Sequence, residues 1–94
     1  MASFNEMVLD SLRQAGLLVS GDREETHGSI PENYERIARL WSSHLGKEVS
    51  PADVCIMQAL LKIGRMQGGC YNADDFLDAQ SYLAMAHALC ETRA

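Results

Sequence analysis

No hydrophobic run in the chain exceeds a handful of residues, far short of the roughly 20 that a membrane-spanning helix needs. The opening MASFNEMVLD has no basic stretch followed by an apolar one, so no secretion signal is read there. Basic residues are scarce, 8 Lys and Arg against 13 Asp and Glu, and the net charge of −5 argues against bulk nucleic acid as the main partner. Cysteine is sparse too. Cys55, Cys70 and Cys90 are odd in number and far apart, with no C-x-x-C pair and no His at zinc-finger spacing, which excludes a disulfide framework and a zinc finger. G-x-S-x-G, P-loop and G-x-G-x-x-G patterns are all missing, so acyl transfer and Walker-type phosphate chemistry have no support. The default placement is cytoplasmic, with no membrane contact.

What is present is helical periodicity in a chain of 94 residues, enough for one domain that buries only about 60 to 65% of its unfolded surface. Stability that thin points to self-association. Over residues 2–15, Phe4, Val8, Leu12 and Ala15 fall on one helical face, and Gly16 favours a break. Ser29-Ile30-Pro31-Glu32 carries a capping-box signature, after which Tyr34, Ile37, Trp41 and Leu45 form a stripe ending at Gly46. Ser50-Pro51-Ala52-Asp53 is a strong helix start, and the helix runs to Gly68-Gly69, apolar almost all round, as a central helix or a subunit contact would be. The last helix opens near Asn72, with Phe76, Ala79, Leu83, Ala86 and Cys90 as its expected core stripe. No stretch alternates apolar and polar residues. The expected fold is all-α, a compact four-helix bundle forming a single domain over residues 1–94, with a long functional loop over residues 17–29 between helices 1 and 2.

Three constellations have chemical potential. In the loop, Gly21-Asp22-Arg23 and His27-Gly28 precede a helix N-terminus, where backbone N–H groups and a guanidinium suit a phosphate or carboxylate; the same residues also fit an ordered loop in which Arg23 pairs with Glu24, Glu25 or Glu32. On the third helix, Cys55, Gln58, Lys62, Arg65 and Gly69 share one side. Lys and Arg on so apolar a helix must meet carboxylates, a ligand or solvent. Asp74, Asp75 and Asp78 open the last helix, Asp75 and Tyr82 border its apolar stripe, and a D-x-x-D step can hold Mg²⁺, although first-turn acids also serve a helix start unaided. Glu32 and Glu35, the other acids in range by pattern, lie opposite Trp41. His44, His87 and the five Met read as boundary and gap-filling residues.

GDREETHGSIPENYERIARLW, VSPADVCIMQALLKIGRM and DDFLDAQSYLAM together resemble a small uncharacterised domain family common in tailed phages and prophages. The resemblance covers about residues 20–86 and singles out Gly21, Asp22, Arg23, His27, Gly28, Asn33, Arg36, Trp41, Lys62, Arg65, Asp74, Asp78 and Tyr82. The chain departs from the family pattern at Asp75, where Asn is usual, and at Gln80-Ser81, which replace a small Ala-Gly step before Tyr82. More loosely, the layout is similar to MazG-type all-α nucleotide pyrophosphohydrolases, whose acids hold Mg²⁺ around a triphosphate, but the E-E-x-x-E helix of that family is missing.

These likenesses imply a protein of a bacterial host's cytoplasm that binds a nucleotide or other phosphorylated small molecule, sequestering a host nucleotide signal and thereby serving evasion of host defence. Arg23, Lys62 and Arg65 would contact phosphate, Asp22, His27 and Asn33 would orient the ligand or support the loop, Tyr82 or Trp41 would stack or line the pocket, and Arg36 is counted with the ligand-binding residues. Two alternatives stand beside it. One is a MazG-like hydrolase with Mg²⁺ on Asp74, Asp75 and Asp78; the other is a helical interaction module with no ligand.

Overall fold

A computed structural model of the chain describes residues 1–20 and 28–92. Four helices follow in order: α1 (Phe4–Val19), α2 (Ile30–Leu45), α3 (Pro51–Gly68) and α4 (Ala73–Glu91), with no strand among the described residues. The fold is all-α, a helical bundle.

The starts are set by side-chain caps that supply acceptors to otherwise unpaired N–H groups. Ser3 Oγ accepts from Glu6 N at 3.1 Å, Ser29 Oγ from Glu32 N at 3.2 Å, and Asn72 Oδ1 from Asp74 N at 3.0 Å. Ser50 and Asp53 form a reciprocal capping box, each side chain accepting from the other's backbone N–H at 3.0 Å. Gly46 ends α2 with φ of 71°, a left-handed conformation that suits glycine. The turn after it is closed by Ser42, whose Oγ accepts from Val49 N at 2.9 Å.

Packing follows the order α1, α4, α3, α2. The main contact joins α3 to α4, α1 lies against α4, and α2 lies against α3. The core is small: Tyr34 and Ala38 of α2, Ala52, Val54 and Cys55 of α3, and Met85, Ala86 and Leu89 of α4, with Ile37, Trp41 and Tyr82 half-buried around it. A separate polar contact holds α1, where Ser81 Oγ donates to Ala15 O at 2.8 Å and Gln80 Nε2 to Ser11 Oγ at 2.9 Å.

Three sequence expectations need correction. α1 does not break at Gly16 but continues to Val19, so Leu17 and Leu18 belong to the helix and not to a loop. Its stripe is not buried: Ala15 is, while Phe4, Val8 and Leu12 are exposed, because among the described residues α1 lies mainly against one helix, α4. In α4 the buried row includes Asp75, Ala79, Ala86 and Leu89, and Phe76, Leu83 and Cys90 face outward. Ala79 and Ala86 are buried as the period predicts, while Phe76, Leu83 and Cys90 fall on the outer flank of that face. The remainder of the expected loop, residues 21–27, lies outside the described residues.

Candidate functional site

The polar side of α3 does not face open solvent. Cys55 is fully buried, Gln58 and Lys62 are partly covered, and Arg65 emerges at the end of the row. Steps of three and four residues keep these positions on one helical side, and the packing of α4 against α3 brings acids opposite them. Lys62 Nζ lies 2.9 Å from Asp78 Oδ2, with side-chain exposures of 16% and 31%. One turn on, Arg65 Nε is 3.7 Å from Asp75 Oδ1, and here the exposures are 58% and 7%. At the other end, Tyr34 Oη donates to Gln58 Oε1 at 2.7 Å and ties α2 to the same row.

The two ion pairs differ. Lys62 and Asp78 make a close, mostly shielded contact. Asp75 is buried, yet its cation approaches only through Nε at a long distance. The Nη groups of Arg65 have no partner among the described residues, which leaves the outer edge of a guanidinium open beside Lys62. Deeper along α3, burial pushes the Cys55 thiol up to about 11 from an ordinary 9.0, opposed by its side-chain hydrogen bond with Tyr34. Such a thiol stays protonated at neutral pH and is no nucleophile.

The structure gathers Lys62 and Arg65 with Asp75 and Asp78, and sets Tyr82 one turn past Asp78 on α4, half-buried against the core. Other expected residues lie apart. Trp41 packs on the core from α2, and Asn33 Oδ1 accepts from Arg36 Nη1 at 3.4 Å on the exposed side of that helix. Asp74 sits exposed in the first turn of α4. Asp22, Arg23 and His27 lie outside the described residues. No group of three His, Cys, Asp or Glu side chains among the described residues is placed to share a metal ion, and Asp75 and Asp78 each face a base instead.

Two contributors were missed in the sequence. Tyr34 reads there as stripe, since nothing along the chain shows that its hydroxyl meets Gln58; the polar Gln58 one turn before Lys62 was the available signal. Ser81 reads as bulk near a ligand or helix contact, and the contact is with α1. A groove of about 620 Å³ lies away from the ion pairs, between α2, the turn after it and the end of α4, with Glu35, Arg39, Glu48 and Ser50 in its wall. Its charges are mixed and mark no single ligand class.

Fold and site thus define a small all-α domain with a charged seam between two antiparallel helices. The chain belongs to the family described as domain of unknown function DUF6378, whose model matches residues 10–90. It is similar to the Gene 55 protein of Mycobacterium phage D29, 36% identical over 80 residues, which is 85% of this chain and 53% of that protein. It is also similar to the Gene 55 protein of Mycobacterium phage L5, 39% identical over 72 residues, 76% of this chain and 46% of that one. The chain therefore spans about half the length of these phage relatives. No solved structure matches it. No helix among the described residues is long and apolar enough to cross a membrane.

Proposed function

We propose that the chain binds a phosphorylated small molecule, a nucleotide being the leading class, at the charged end of the α3–α4 seam. The observation that carries this reading is the Arg65 guanidinium, more than half exposed, held to Asp75 only through Nε and set one turn from Lys62. A phosphate can take the open edge of Arg65 in bidentate fashion and draw Lys62 from Asp78, exchanging one set of charge-assisted bonds for another. Tyr82 would line the approach, Arg23 would contact phosphate with Lys62 and Arg65, and Asp22, His27, Asn33 and Arg36 belong to the same proposal as further ligand-binding groups. In a phage setting, which the Gene 55 relatives support, capture of a host nucleotide signal is the role this chemistry would serve.

The test is thermal unfolding of the chain against a panel of nucleotides, with and without Mg²⁺. A ligand at 100 times its Kd adds about 2.7 kcal/mol of stability, and the Lys62→Met, Arg65→Met double variant should lose that shift while keeping its helicity. No shift with any nucleotide would overturn the proposal. A shift that needs Mg²⁺ and is accompanied by pyrophosphate release would favour the MazG-like hydrolase, which requires Asp75 and Asp78 to exchange their bases for the metal.

The second reading, an interaction module without ligand, draws on a different observation. Both cations already face carboxylates across the seam, so the charges can serve as inter-helix pairs alone.

A further inference from the structure

The two ion pairs of the seam are stacked in opposite order. Of Arg65 and Asp75 the base is the outer partner, its side chain 58% exposed over a carboxylate that is 7% exposed. Of Lys62 and Asp78 the acid is the outer partner, 31% exposed against 16% for the lysine. The two bases lie one turn apart on α3 and the two acids one turn apart on α4, so the pairs are neighbours along the seam. One base is presented to solvent above an inner acid. The other is shut in behind an outer one.

That order decides what an arriving anion meets. A phosphate reaches the Nη edge of Arg65 without displacing a protein group, since Asp75 approaches only Nε. At the second base it meets the carboxylate first. Asp78 Oδ2, 2.9 Å from Lys62 Nζ, stands where a phosphate oxygen would have to stand to take the same charge-assisted bond. Lys62 becomes available only when Asp78 turns towards water, which its partial exposure allows, and their pair is then lost. We infer that Asp78 is an internal competitor for the ligand. Resting on the phosphate-binding reading above, this makes Arg65 the standing contact and Lys62 a second contact that stays closed until a phosphate displaces the carboxylate. Asp75 lies beneath its base and closes nothing.

Calorimetric titration with ATP, GTP and inorganic pyrophosphate, without Mg²⁺ and at one ionic strength, reads the competition as affinity. Asp78→Asn keeps the size of the side chain and removes its charge, and should tighten binding about fivefold, the upper range for a pair that is still partly wet. Asp75→Asn removes an equal charge one turn away but uncovers no base, so its affinity should stay within about twofold of the unchanged chain. Equal or weaker binding to Asp78→Asn would overturn the inference and leave phosphate binding standing. An equal gain in both variants would do the same, because net charge alone would then explain it. If none of the three proteins binds any of the three probes, the inference and the phosphate-binding reading fall together. Should Asp78→Asn fail to fold, NMR of the unchanged chain decides: the Asp78 carboxyl carbon signal should move on saturation with a probe, and a signal that stays in place would rule the competitor out.

Discussion

The contact between α3 and α4 is built in two ways along its length. Near the start of α3 and the end of α4 it is packed: Val54 and Cys55 are fully buried, and Met85, Ala86 and Leu89 close around them with Tyr34 and Ala38. Near the end of α3 and the start of α4 it is paired, Lys62 to Asp78 and Arg65 to Asp75. Packing is unforgiving of volume, since an interior this close to crystalline density feels the loss of a methylene. Ion pairs at a partly wet edge contribute little net free energy and can exchange partners. The packed end thus carries the fold, and the paired end is the part of the seam that a ligand can take over without unfolding the domain.

Leu89→Ala should give the largest effect that separates the two ends. It leaves a cavity in the small core and should cost about 2 to 5 kcal/mol, read from the urea midpoint. A loss below about 1 kcal/mol would mean that this end collapses around the gap and is not the packed half of the seam.

The next effect reads the same end through pH. The folded Cys55 thiol keeps its proton up to about 11, whereas an unfolded thiol loses it near 9.0. The folded pKa being the higher, the stabilising contribution is whole below pH 9 and is lost as pH rises through 11, by at most about 3 kcal/mol. Unfolding curves at pH 8 and pH 11 for the chain and for Cys55→Ala isolate it, because Tyr and Lys titrate in both. Equal pH slopes in the two proteins would show that water reaches the thiol.

At the paired end the expected change is smaller. Asp75→Asn removes a buried charge whose partner is more than half in water, so the cost should be about 1 kcal/mol, well below the 3 to 5 kcal/mol of breaking a fully buried pair. The loss should shrink at high salt if the pair is the cause. A cost as large as that of Leu89→Ala would erase the distinction between the two ends.

Helix number, the caps at Ser29, Ser50 and Asn72, and the stop at Gly46 were all legible in the sequence, because each is a local signal satisfied within a few residues. The single side shared by Cys55, Gln58, Lys62 and Arg65 was legible for the same reason. What faces that side was not. Periodicity shows that a stripe exists but not which helix covers it, and so Phe4, Val8, Leu12, Phe76 and Leu83 were expected in the core and are exposed. Asp75 shows the converse: its place at the border of the stripe was visible, but its burial against Arg65 depends on α3, distant along the chain. The apolar character of α3 suggested either burial or a subunit contact, and the structure divides it: Ala52, Val54, Cys55 and Ala59 are buried, while Ile56, Leu60 and Ile63 are exposed among the described residues.

Ser81 puts the smallest effect at a third place on α4, away from both ends of the seam. Its hydroxyl reaches Ala15 O at 2.8 Å and Leu77 O at 3.0 Å, so one side chain both satisfies its own helix and fastens α1. Removing it as Ser81→Ala takes away a hydrogen bond of about 1 kcal/mol but orphans little, because the Ala15 carbonyl lies inside α1 and keeps its helical partner. Global stability should therefore fall by about 1 kcal/mol or less, while the change in α1 is local. Hydrogen exchange should quicken over residues 11–18 and stay unchanged over Val54 and Cys55, since α1 lies mainly against α4 and reaches the core only through Val19 at its end. Uniform quickening would instead mean that α1 is part of the same cooperative unit as the packed end, and that the bundle is less divided than its contacts suggest.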